Sequence, residues 1–161
     1  MEFQIMGGVI LAVLILSFFI YSQIAHGARK PTTPRGLAAA RFGLRESLLR
    51  AVAKVESNEN PKAVGGAGEL GMYQMKRVAY NEVVNNFPDL AKFLWPEAVT
   101  NEEISHYFAA AYLSLLRDRY GFNSDVDMLR AYNRGPTAAR RDRNAGISYA
   151  ERVLSVERGL A

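Results

Sequence analysis

Apolar and polar positions follow two patterns along this chain, and each predicts a different kind of element. From Phe3 to Ala25 (FQIMGGVILAVLILSFFIYSQIA) no charged residue occurs. Such a run suits a single bilayer-crossing helix, which needs about 20 residues. From Leu44 onward the pattern is periodic instead. Leu44, Leu48, Val52 and Val55 recur at helical spacing and mark one apolar face. Lys76 to Phe87 reads as a second helix, and a short apolar segment to Trp95 is closed by Pro96. Thr100 to Glu103 forms a capping-box pattern in which Thr100 caps and Glu103 reaches back. The helix it opens has a stripe of Ile104, Phe108, Ala111, Tyr112, Leu115 and Leu116, and Gly121 ends it. Ser124 and Asp127 repeat the capping logic for a helix through Met128, Leu129 and Tyr132. Gly135 and Pro136 break that helix and start another, since proline is tolerated at a first helical position. A last helix is expected from about Ser148 to Arg158. No run alternates with period two, so the fold class is mostly α, with at most a small β-hairpin around Val64 to Tyr73.

These patterns divide the chain into a transmembrane anchor at 1–26, a tether at 27–36 and one domain at 37–161. A cleaved signal peptide is the alternative for the first segment, because small residues surround Ala25. Glu2 and the absence of Lys or Arg before a long apolar run favour an uncleaved anchor. The tether, GARKPTTPRG, reaches on the order of 30 Å when extended, which keeps the domain near the membrane surface.

Charge adds a conflict. Of 20 basic and 16 acidic residues, only Glu2 precedes the apolar run. Arg29, Lys30, Arg35, Arg41 and Arg45 follow it closely, and positive-inside reasoning would keep that side in the cytoplasm. A second basic group, Arg130, Arg134, Arg140, Arg141 and Arg143, has no nucleic-acid reading motif, so no nucleic-acid partner is expected. The absence of Cys excludes disulfides and thiol chemistry. His26 and His106 lie too far apart in sequence to suggest a metal cluster, and GGAGELG lacks the Lys-Ser or Lys-Thr of a phosphate loop. Neither a metal nor a cofactor is expected, and His106 reads as a helix-surface or half-buried residue.

The candidate chemistry starts at Glu56, the residue after the apolar face of the first periodic helix. Carbonyls at a helix C-terminus disfavour a carboxylate and raise its pKa, as a general acid requires. Ser57, Asn58, Asn60 and Pro61 then stop the helix, and Gly65, Gly66, Gly68 and Gly71 make a loop able to wall a cleft.

Glu56-Ser57, Gly66-Ala67-Gly68 and Gly71-Met72-Tyr73-Gln74 resemble the signature of soluble-lytic-transglycosylase-type domains. Three further blocks agree in order: ISHYFAAAYL from Ile104, Ala131-Tyr132-Asn133-Arg134-Gly135-Pro136, and Tyr149 in YAERVL. The resemblance implies a lysozyme-like fold and cleavage of the glycan strands of peptidoglycan between N-acetylmuramic acid and N-acetylglucosamine. Glu56 would act as acid and then base, giving 1,6-anhydromuramoyl ends. By the same resemblance Ser57 would orient Glu56, Met72 and Gln74 would line the cleft, Tyr132 and Asn133 would contact sugar or position Glu56, and Tyr149 would bond to or shield the acid. Tyr73, Glu69 and Arg134 depart from the family's usual residues. The implied setting is a single-pass membrane protein whose domain faces peptidoglycan, from a bacterial inner membrane or an internal viral membrane. Local wall opening for viral penetration, or for a secretion or conjugation channel, fits that setting. A hydrolytic lysozyme using Glu59 or Glu69, and a non-catalytic wall-binding assembly protein, are the alternatives.

Overall fold

The computed structural model describes residues 31–160, so the expected span at 3–25 lies outside the described residues. Among these residues no helix is long and apolar enough to cross a membrane. Among the described residues eight α-helices follow one another: α1 (Pro34–Arg41), α2 (Glu46–Ser57), α3 (Arg77–Asn86), α4 (Glu97–Thr100), α5 (Glu102–Asp118), α6 (Asp125–Arg134), α7 (Pro136–Arg141) and α8 (Ile147–Arg158). A single 3₁₀ turn, Pro88–Leu90, follows α3.

Local chemistry sets most of the boundaries. Thr33 Oγ1 accepts from the Gly36 amide at 2.9 Å and Pro34 takes a first helical position, so α1 begins inside the segment expected to be tether. Asn101, not Thr100, caps α5, its Oδ1 accepting from the amides of Glu103 and Ile104 at 3.0 Å each. Thr100 is consumed by α4, where its hydroxyl donates to the Pro96 carbonyl. Ser124 caps α6 as its spacing predicts, accepting from the Asp127 amide at 3.0 Å.

Helix α5 is the centre of the packing. It touches α1, α2, α3, α4 and α6. The expected one-sided stripe is too narrow a description, because Ala109, Ala110 and Leu113 are also fully buried. A helix buried on all sides needs small residues where neighbours close in, and its alanine run supplies them. His106 is buried as well, contrary to the surface or half-buried position expected of it. The Tyr73 hydroxyl lies 2.8 Å from its Nδ1, and burial pushes its pKa down to about 4.

The glycine-rich loop does not form a hairpin. Only isolated bridges join Val64 to Leu70 and Leu70 to Met75. Gly71 explains the tightness of the turn. Its φ is +76°, and a Cβ there would lie 1.8 Å from the Val99 carbonyl oxygen. Only glycine lets the loop lie against α4 in this way.

Candidate active site

Helix α2 delivers Glu56 in its final turn, and Asn58 ends the helix in the left-handed region at φ 57°. Asn58 and Glu59 send their amides back to the Lys54 and Ala53 carbonyls at 3.0 and 3.1 Å. Packing of α2 against α8 brings Tyr149 to Glu56. The buried Tyr149 hydroxyl donates to Glu56 Oε1 at 2.7 Å.

A cleft of about 490 Å³ opens at this point. Its lining includes Glu56, Gly65, Gly66, Glu69, Gln74, Lys76, Val78, Tyr112, Tyr132, Asn133 and Arg134. Four of the residues singled out from sequence, Glu56, Gln74, Tyr132 and Asn133, therefore share one cavity. The other five do not line it. Gly71, Met72, Tyr73 and Tyr149 are buried, and Ser57 donates through Oγ to the Met72 carbonyl at 2.8 Å without a bond to Glu56. The Tyr132 hydroxyl donates to the Tyr73 carbonyl at 2.7 Å, and Gln74 Nε2 donates to the Gly71 carbonyl at 2.9 Å. The turn beneath the cleft is thus pinned by side chains from α2 and α6.

The carboxyls of this region are tuned in opposite directions. Burial raises the pKa of Glu56, and the charge of Glu69 raises it further; the Tyr149 hydrogen bond and the Arg152 charge offset part of this. The leading cause is desolvation, where the sequence suggested the helix C-terminus. Glu69 is lowered by its bond to Lys76, at 3.0 Å, and by the Ala67 amide. Glu59 points away, to Arg35 at 2.8 Å and Arg50 at 3.4 Å, and those cations lower it.

Several lining residues were missed from sequence: Lys76, Val78 and Tyr112. Tyr112 belongs to the apolar stripe of α5, and nothing in its spacing distinguishes a cleft wall from core. Arg152 follows Tyr149 by one helical turn and lies over its ring, 5.8 Å from the centroid. That spacing was a readable signal. Arg130, counted with the basic group, is instead buried, donating to the carbonyls of Ala139, Asp142 and Ala145 and pairing with Asp127. Among the described residues no cluster of His, Asp and Glu could hold a metal ion.

Comparison with known proteins is consistent with this geometry. The family profile of the transglycosylase SLT domain matches residues 35–153. Membrane-bound lytic murein transglycosylase C of Histophilus somni, from strains 2336 and 129Pt, is 32% identical over 132 residues, covering 72% of this chain and 35% of each relative. The chain thus spans about a third of the length of the curated relatives it matches. Among solved structures, the 70 kDa soluble lytic transglycosylase SLT70 of Escherichia coli superposes with a TM-score of 0.68 at 21% identity, over 77% of this chain and 23% of that one. An inactive mutant of lytic transglycosylase Slt from Pseudomonas aeruginosa gives 0.59 at 21% identity, over 77% of this chain and 21% of that one. Both show the fold.

Proposed function

Because the chain belongs to the transglycosylase SLT family, we propose that it is a peptidoglycan lytic transglycosylase with Glu56 as its single catalytic carboxyl. One observation carries the proposal: Glu56 faces the cleft with its charge disfavoured by burial and its Oε1 held by Tyr149. A carboxyl whose proton is held more tightly than usual can give it to the oxygen between N-acetylmuramic acid and N-acetylglucosamine. The resulting carboxylate then takes the proton of the muramoyl C6 hydroxyl as that oxygen attacks the anomeric carbon. The glycosidic bond breaks, a 1,6-anhydro bond forms, and no water is consumed. An internal nucleophile is already close to its target, which removes much of the entropic barrier.

The residues around Glu56 take supporting roles in this reading. Tyr149 steadies the carboxylate stage, Gln74, Tyr132 and Asn133 meet the glycan, and Ser57, Gly71, Met72 and Tyr73 hold the turn beneath. Residues 1–26 anchor the chain in a membrane and the segment before Pro34 tethers the domain, which faces the wall. Local wall opening during viral penetration, secretion or conjugation is the use that fits an anchored enzyme.

Glu69 favours a second reading, because it lines the same cleft and stays ionised beside Lys76. It could activate a water and make the enzyme a hydrolytic lysozyme. Mass spectrometry of muropeptides released by the full chain in detergent separates the two. Anhydro ends, absent with Glu56→Gln, are expected. Reducing ends would establish the lysozyme, and wall binding without any cleavage would leave a binding protein.

A further inference from the structure

Two cations line the cleft, and among the described residues only one of them is paired. Lys76 is paired with Glu69 at 3.0 Å. Arg134, the last residue of α6, is exposed and makes no hydrogen bond or ion pair among the described residues. Its position is nevertheless defined at the base of the side chain. Gly146 has a φ of +81°, and a Cβ there would lie 3.1 Å from Arg134 Cγ, so α6 and the start of α8 meet around the arginine's methylenes. The neighbouring Arg130 has the opposite fate, with its guanidinium spent on three backbone carbonyls and Asp127.

Glu56 does not neutralise Arg134 either, since its carboxyl is bonded to Tyr149 and kept toward the protonated state. A planar, permanently charged fork at the edge of a sugar cleft is matched by a carboxylate, which it can grip through two parallel bonds. The sugar rings and N-acetyl groups of the glycan carry no such anion. The peptide stems attached to its muramoyl lactyl groups do.

We propose that Arg134 forms a subsite for a stem-peptide carboxylate, so that the enzyme reads the peptide as well as the glycan. This rests on the transglycosylase reading for its substrate, and the experiment keeps the two apart. Glycan strands with native stems are compared with strands whose stem carboxylates have been converted to neutral amides. Wild-type full chain in detergent is expected to show a KM about tenfold higher on amidated strands, with little change in kcat. Arg134→Gln should raise KM on native strands by a similar factor and bring the native-to-amidated ratio close to one. Arg134→Lys, which keeps the charge and loses the fork, should fall between.

Co-sedimentation of Glu56→Gln, with and without Arg134→Gln, on the two kinds of strand reads the same ratio without turnover. A wild-type preference that survives in Arg134→Gln overturns the subsite, as does an equal loss of kcat on both substrates. Cleavage by the wild type with no preference also overturns it while the lyase reading stands. Absence of cleavage, with a binding preference that Arg134→Gln abolishes, defeats the lyase reading and supports the subsite.

Discussion

Glu56 and Glu59 leave the same helix end, yet the molecule treats them as different groups. Glu56 turns inward, meets a tyrosine hydroxyl and is desolvated, and its pKa is raised. Glu59 turns outward to two arginines and is lowered. The residue type is the same and only three positions separate them, Glu56 in the last turn of α2 and Glu59 just past its cap; the partners differ. Environment, and not the carboxyl itself, separates a candidate acid from a structural anion.

The largest effect should come from making each carboxyl neutral in turn. Glu56→Gln is expected to lose roughly a thousandfold or more in rate of muropeptide release while circular dichroism is unchanged, because an amide can neither donate nor accept the proton. Glu59→Gln should stay within about threefold of the wild type in that assay. Similar losses in both variants would erase the distinction.

Both regions rest on the Met72 segment, through Ser57 on one side and Arg35 on the other, whose Nη2 lies 3.8 Å from Met72 Sδ. Gly71→Ala attacks that shared support. The clash with the Val99 carbonyl and the positive φ should cost about 3 kcal/mol or more, read as a lower denaturation midpoint. An unchanged midpoint would mean that the loop is free to move.

Tyr149→Phe sharpens the comparison from the Glu56 side. The hydroxyl stabilises the charged carboxylate, so its loss should raise the Glu56 pKa further and move the alkaline limb of the rate profile to higher pH. The rate should fall about tenfold. A limb that moves to lower pH would contradict the assigned direction.

The smallest effects are in stability against pH, and they have opposite signs. Both carboxyls start from an unfolded value of 4.5. For Glu56, with its folded pKa raised, the favourable contribution is complete below the unfolded value and is lost as pH rises through the folded one. For Glu59, with its folded pKa lowered, the contribution is present above the unfolded value and is lost as pH falls through the folded one. At neutral pH Glu56→Gln should therefore raise the melting temperature by a degree or two at most, roughly. Glu59→Gln should lower it, because Arg35, whose Nε is buried with no partner among the described residues, loses its carboxylate. Melting curves from pH 3 to 8 would expose a common sign if the two sites were alike.

Much of the fold was legible because its signals are local. Apolar spacing, Ser124 as a cap, and the Gly135-Pro136 break each act within a few residues, and the helices they predict are present. The errors were also local competitions. Thr100 and Asn101 are both good caps, and the choice fell to Asn101 once α4 had taken Thr100. The bound of at most a small hairpin around Val64 to Tyr73 holds, since that loop carries only two isolated bridges and lies against α4 at Gly71.

What the sequence determined by itself was six of the eight described helices, all but α1 and α4, a family signature in the right order, and a carboxyl at the end of α2. The tertiary structure decided which carboxyl is desolvated, which cation is paired, and which residues reach the cleft. Tyr149 lies 93 residues from Glu56, and Arg35 lies 24 from Glu59. No periodicity spans such distances. A pKa depends on the dielectric and the charges around a group, and in this chain those come from α1, α8 and the glycine loop, whose meeting at α2 is a property of packing alone.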